Sequence, residues 1–311
     1  MCVAMDRGRK LFGRVAFPGV LAICLIAATT LLRGGSDPVV AFLVPVTFAT
    51  LFVIVFERIY PYVPEWSRSH DDVRVDLAHM VSVSLTGALL QPALVAIAIP
   101  GSAWISARMG HAIWPAHWPL LLQLVVALVV AEFPKYWFHR WMHEHDALWR
   151  LHATHHSAPR LYWLNAARFH PADIAIDTTA GMLTLGLLAC PAATVSLFAL
   201  VSTVHGYFQH ANLETRIGFL NYFFSMAELH RWHHSRVLAE SNNNYGNNVI
   251  VWDLMFGTYY RPRDREPDVD IGLSDLPAFP RDFWGQITSP IHWRRIRDDS
   301  ARARSVDDLA A

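Results

Sequence analysis

Histidine is the residue whose number and spacing first suggest chemistry. The run HRWMHEHDALWRLHATHHS (residues 139–157) holds six of the chain's 17 histidines, and 12 of the 17 fall between His139 and His234. On a helix, residues three or four apart share a face. His139 and His143 are paired this way, and His152, His155 and His156 repeat the spacing. His230, His233 and His234 do so again in HRWHHS, and His210 stands alone in QHAN. Imidazole is poor core filler because both ring nitrogens need partners, so three clusters with one spacing point to metal ligation. Nine rings exceed the four ligands of a tetrahedral zinc but suit two ions with four or five nitrogens each. Neutral imidazole serves iron, zinc, copper and nickel alike, so the ligand set alone does not name the metal.

Each ligating ring needs its other nitrogen held by an acceptor. Candidates in the sequence are Glu132, Asp146, Asn165, Asp173, Asp177 and Asn212, while His170 and His205 read equally as ligands or as hydrogen-bonding supports. The single histidines His70, His79, His111, His117, His145 and His292 read as solvated residues. Tyr136, Trp137, Phe138, Trp141 and Trp149 read as an interfacial aromatic belt.

The elements that must position these rings are apolar. Of 311 residues 53% are hydrophobic and 17% charged, against about 25% charged in an ordinary soluble domain. Lys+Arg and Asp+Glu balance at 26 each, which gives no electrostatic case for nucleic acid. Cys2, Cys24 and Cys190 are too sparse for a disulfide framework or a cysteine metal site. Apolar runs at about 17–32, 39–56, 77–99 (with Pro92 as a kink) and from about 118 are long enough to span a bilayer. The fourth runs without an obvious break into the histidine region. Arg7, Arg9, Lys10 and Arg14 precede the first span, and Arg58, Arg68 and Arg74 lie between the second and third. That bias predicts a multi-pass protein of the inner cell membrane with its N-terminus and histidines on the cytoplasmic side. Residues 174–210, split at Cys190-Pro191, read as a re-entrant or paired hairpin. The charged, Pro-rich end reads as surface or partly disordered.

The fold expected is therefore an all-α integral-membrane bundle of about four spans plus the hairpin, with a cytoplasmic histidine-rich cap. Residues 1–116 form the anchor, 117–261 the catalytic region and 262–311 a charged cytoplasmic tail.

The ordered segments YWFHRWMH, LWRLHATHHS, NAARFHP, QHAN, HRWHHS and NNYGNNVIVWDLMFGTYY, from about Glu132 to Tyr259, resemble the fatty acid hydroxylase/sterol desaturase superfamily of membrane di-iron oxygenases. The resemblance implies His139, His143, His152, His155, His156, His210, His230, His233 and His234 as ligands to two iron ions (zinc may substitute), with O2 as co-substrate. It implies a lipid monooxygenase, hydroxylase or desaturase acting on a sterol, fatty acyl, ether lipid or terpenoid. Glu132 and Asn242 depart from the family pattern, standing where an Asp and an acidic residue are usual. The residues named as outer supports are Glu132, Asn165, His170, Asp173, His205 and Asn212. No GxGxxG, cysteine cluster or HPGG segment is present, so a separate electron-transfer protein (cytochrome, ferredoxin or reductase) is expected. The competing class is a membrane metal protein without oxygenase chemistry. A zinc hydrolase lacks its second ligand, since HEHDA places Ala147 where H-E-x-x-H needs histidine. A transporter or sensor would space ligands through the spans, and a b-type cytochrome would set single histidines within them.

Overall fold

The computed structural model describes residues 7–310, with side chains through residue 305; Cys2 lies outside the described residues. Four helices are long and apolar enough to cross a membrane: α1 (Arg7–Arg33), α2 (Pro38–Ile59), α3 (Val73–Met109) and α4 (Leu120–Glu144). Their outer faces expose Val39, Leu43, Leu85, Leu89, Ile97, Leu121 and Val125, an apolar surface suited to lipid. Helix α3 continues through Pro92 and Pro100 over 37 residues. At 1.5 Å per residue that is roughly 55 Å, well beyond a hydrocarbon core of about 30 Å. Its first turns therefore belong to the cap, where Asp76 and His79 are fully buried.

The hairpin forms α6 (Pro171–Leu187) and α7 (Ala192–His210), after the short α5 (Asp146–His156). Helix α6 packs on α3 and α4, and α7 packs on α1, α2 and α4. The approach of α6 to α3 is close: a Cβ on Gly186 would lie 2.5 Å from that of Ala98. Short helices α8 (Ala227–His233), α9 (Leu238–Ser241) and α10 (Val251–Phe256) complete the cap. Among the described residues β-structure is confined to isolated bridges.

The C-terminal segment, expected at the surface or partly disordered, is helical and anchored by a few apolar residues. It forms α11 (Phe283–Thr288) and α12 (Trp293–Ala310), and Leu276, Phe279, Trp293 and Ile296 pack on Ala153 with Trp149 against them. His79, expected to be solvated, is 0% exposed. Its Nε2 lies 2.8 Å from Gln286 Oε1 and its Nδ1 3.0 Å from the Phe169 carbonyl. His70, His111, His117, His145 and His292 are exposed as expected. In the aromatic belt, Trp141 is exposed, but Tyr136 is fully buried with its hydroxyl 3.0 Å from Thr258 Oγ1.

Candidate metal centre

Helix α4 does not continue through the histidine run. It ends at Glu144, His145 is extended (φ −121°, ψ 118°), and α5 starts afresh with Leu148 N and Trp149 N donating to the His145 carbonyl. The break decides the site. On an unbroken helix His143 and His152 would sit on opposite faces, about 13.5 Å apart along the axis. Instead their ring centroids are 5.0 Å apart, and those of His139 and His152 are 4.7 Å apart.

Nine imidazoles converge in two groups. His139, His143, His152, His156 and His233 form the first, and His155, His210, His230 and His234 the second; within each, the candidate ligand atoms lie within 4.8 Å of one another. These are the nine histidines singled out in the sequence. His139 and His143 are half-buried and the other seven buried. Consecutive residues go to different groups, His155 apart from His156 and His233 apart from His234. A helical step of 100° turns neighbouring side chains toward different directions.

Six of the nine rings have an outer nitrogen held by an acceptor, whereas the buried Nδ1 of His230 has no partner. Nδ1 of His139 is 2.7 Å from the Tyr245 carbonyl, that of His155 3.2 Å from the Arg168 carbonyl, and that of His233 2.8 Å from the Asn243 carbonyl. Nδ1 of His152 faces Asp173 Oδ2 at 2.8 Å, that of His210 faces Asn165 Oδ1 at 3.0 Å, and that of His143 faces Asn242 Oδ1 at 3.2 Å. Each acceptor fixes the proton on Nδ1 and leaves Nε2 with a bare lone pair aimed inward. In the first group the buried Nε2 atoms of His143, His156 and His233 have no hydrogen-bond partner. In the second, Nε2 of His230 lies 2.9 Å from that of His210 and 3.0 Å from that of His234. Inward lone pairs without donors fit cations. Burial, reinforced by neighbouring imidazoles, holds the pKa values of His155, His156, His230 and His234 well below the ordinary value, and burial pushes His233 down to about 3. The rings are thus kept neutral, the form that ligates.

The remaining residues named from the sequence lie farther out. Glu132 accepts from Asn247 N and Asn248 N at 3.0 and 3.1 Å, holding the loop whose Tyr245 carbonyl meets His139. His170 caps α6 through Ala172 N and faces the Ile287 carbonyl. His205 packs edge-on against Phe17, and neither ring nitrogen has a partner. Asn212 binds both backbone groups of Val63. Asp146 pairs with Arg150 and Arg297, and Asp177 with Lys135. His170, His205 and Asn212 therefore form no hydrogen bond to the nine rings.

Several supports were not singled out in the sequence. Asp253 accepts from Tyr245 N and Gly246 N at 2.8 and 2.7 Å, fixing the same loop as Glu132. A Cβ on Gly246 would lie 2.4 Å from the Val249 carbonyl oxygen, so only glycine fits. Just before α3, Asp72 takes Arg160 through two hydrogen bonds, and in its first turn Asp76 binds Arg168 and Tyr162. These buried pairs brace the segment carrying Asn165 and the Arg168 carbonyl. The one local signal for them is that Asp72 and Asp76 stand four residues apart at the start of an apolar span, which puts them on one helix face.

A cavity of about 610 Å³ reaches the centre. Its lining includes His139, His152, His155, His210 and His230, and its walls come from α2, α3, α4, α6 and α7. Phe138, expected in the aromatic belt, lines it.

Comparison with known proteins matches residues 124–258 to the fatty acid hydroxylase family model. The chain is 36% identical over 282 residues to the ornithine lipid hydroxylase OlsE of Rhizobium tropici, covering 88% of this chain and 82% of that protein. It is 28% identical over 129 residues to the alkylglycerol monooxygenase of Homo sapiens, covering 42% of this chain and 28% of that protein. It is 25% identical over 129 residues to the methylsterol monooxygenase 2-2 of Arabidopsis thaliana, covering 41% and 48% respectively. No solved structure matches.

Proposed function

The chain belongs to the fatty acid hydroxylase family, and from that premise we propose that it hydroxylates a membrane lipid at a di-iron centre held by its nine clustered histidines. The observation that carries this reading is the inward set of Nε2 lone pairs beside a cavity walled by apolar helices and lined by five of the same histidines. His139, His143, His152, His156 and His233 would hold one ion, and His155, His210, His230 and His234 the other. When bound, such a pair supplies O2 activation strong enough to oxidise an unactivated C–H bond, chemistry that side chains lack.

The protein's share is position. Asp173, Asn165, Asn242 and three backbone carbonyls orient six of the rings. The cavity holds an alkyl chain in apolar surroundings while the reacting carbon is presented at its histidine end. The electrons come from a separate donor protein. The centre faces the cytoplasmic side of the inner membrane, consistent with Arg7, Arg9, Lys10 and Arg14 at the start of α1. Residues 117–261 are the catalytic unit, with 1–116 the anchor and 262–311 the tail. The named substrate of the relative matched over most of the chain is an ornithine lipid, and we take a lipid of that class as substrate.

The test supplies the full chain in nanodiscs with ornithine lipid, a reductant and isotopically labelled O2. The expected result is iron in the purified protein and one labelled oxygen in the lipid product. Turnover that persists without O2, or zinc with no iron dependence, would overturn the reading.

A further inference from the structure

The cavity wall carries a charged group that an alkyl chain would not need. Lys135 Nζ lies 3.2 Å from Asp177 Oδ2 and 3.9 Å from Glu132 Oε1. One ammonium thus sits between two carboxylates. The trio is unevenly accessible: the side chains of Lys135 and Glu132 are 7% and 0% exposed, that of Asp177 29%. Glu132 already accepts from Asn247 and Asn248. Asp177 is the open member, and it lines the cavity with Lys135 and Asp173. Asp173 stands one turn earlier on α6 and holds His152 Nδ1, so the acidic stripe leads to the histidines.

Around it the wall is apolar, with Phe42, Val46, Met80, Val83, Met182 and Phe198. A carboxylate that shares its one ammonium with a second carboxylate in such surroundings favours a further cation or donor from a ligand. A few placed polar groups in an otherwise apolar pocket set which ligand is accepted.

We propose that Asp177 is the specificity-determining residue of this site, receiving the ammonium group of an amine-headed lipid. The inference rests on the lipid hydroxylase reading and deepens it: ornithine carries a side-chain amine, whereas alkylglycerols and sterols carry none.

The experiment uses the full chain in nanodiscs with two probes, ornithine lipid and the same lipid acetylated on its side-chain amine. Wild-type protein should lose at least about tenfold in kcat/KM on the acetylated lipid, the loss of one charge-assisted contact. Asp177→Asn should raise KM for the amine lipid about tenfold, with a smaller change in kcat and the metal retained, and should level the preference between the two lipids. Equal wild-type turnover of both lipids overturns the inference and leaves the hydroxylase reading intact. So does an Asp177→Asn protein that retains its metal and keeps the wild-type preference for the amine lipid, since the carboxylate would then only hold α6. If wild-type protein oxygenates neither lipid, the substrate reading and this inference fall together.

Discussion

The two histidine groups are built differently. Four of the five rings in the first come from one stretch of eighteen residues, His139 to His156, and only His233 arrives from afar. The second gathers His155 from α5, His210 from α7, and His230 and His234 from α8 and its end, so it forms only when the cap is fully packed. The first is half-open at His139 and His143; the second is buried throughout. Outer partners differ too. The first includes a carboxylate, Asp173, whereas the partners seen for the second are neutral, the Arg168 carbonyl and the Asn165 amide. A carboxylate behind an imidazole raises its basicity as a ligand. Two groups of similar composition are thus expected to differ in affinity, and α5 and α8, which feed both, keep them from separating.

The largest effects should come from adjacent residues assigned to opposite groups. His155→Ala and His156→Ala are each expected to abolish turnover and remove about half of the bound metal, by metal analysis of the purified protein. Loss of all metal in both variants would break the division into two. Next come the outer partners. Removing one is expected to cost about 10- to 100-fold in metal affinity or activity, with Asp173→Asn more severe than Asn165→Ala because a charge is lost. The reverse order in chelator competition would contradict the proposed asymmetry. A smaller change, and one of opposite sign, is expected from Asn242→Asp. It gives His143 a carboxylate acceptor and should tighten the first group several-fold in the same assay; weakened binding would mean that the 3.2 Å contact is not formed in solution. The smallest effect belongs to His292→Ala, at an exposed residue far from both groups in sequence. Metal content and turnover should match the wild type, and a loss would mean that the tail reaches the centre.

Much of this arrangement was legible because its signals are local. Long apolar runs mark α1 to α4, and spacing of three or four along a helix marks which rings share a face. Other features depended on residues far apart in sequence. The Gln286 partner of His79 is 207 positions away, so nothing near His79 betrayed its burial. Trp293 and Ile296 are sparse apolar residues in a charged segment, and their packing against α5 is visible only in three dimensions. The interruption at His145 lacks Gly or Pro. Its only local hint is Asp146, an acid suited to a helix start, paired with Arg150 one turn on.

That interruption makes the spacing of the chain at residue 145 a matter of phase. Insertion of one residue at this joint would rotate everything in α5 by about 100° about its own axis and slide it by about 1.5 Å. The three imidazoles of α5 would then point between the positions they now occupy. Such a variant would keep every side chain in the protein and lose the alignment that gives them a shared purpose. Tolerance to length change at this joint should accordingly be far lower than its solvent-facing position suggests.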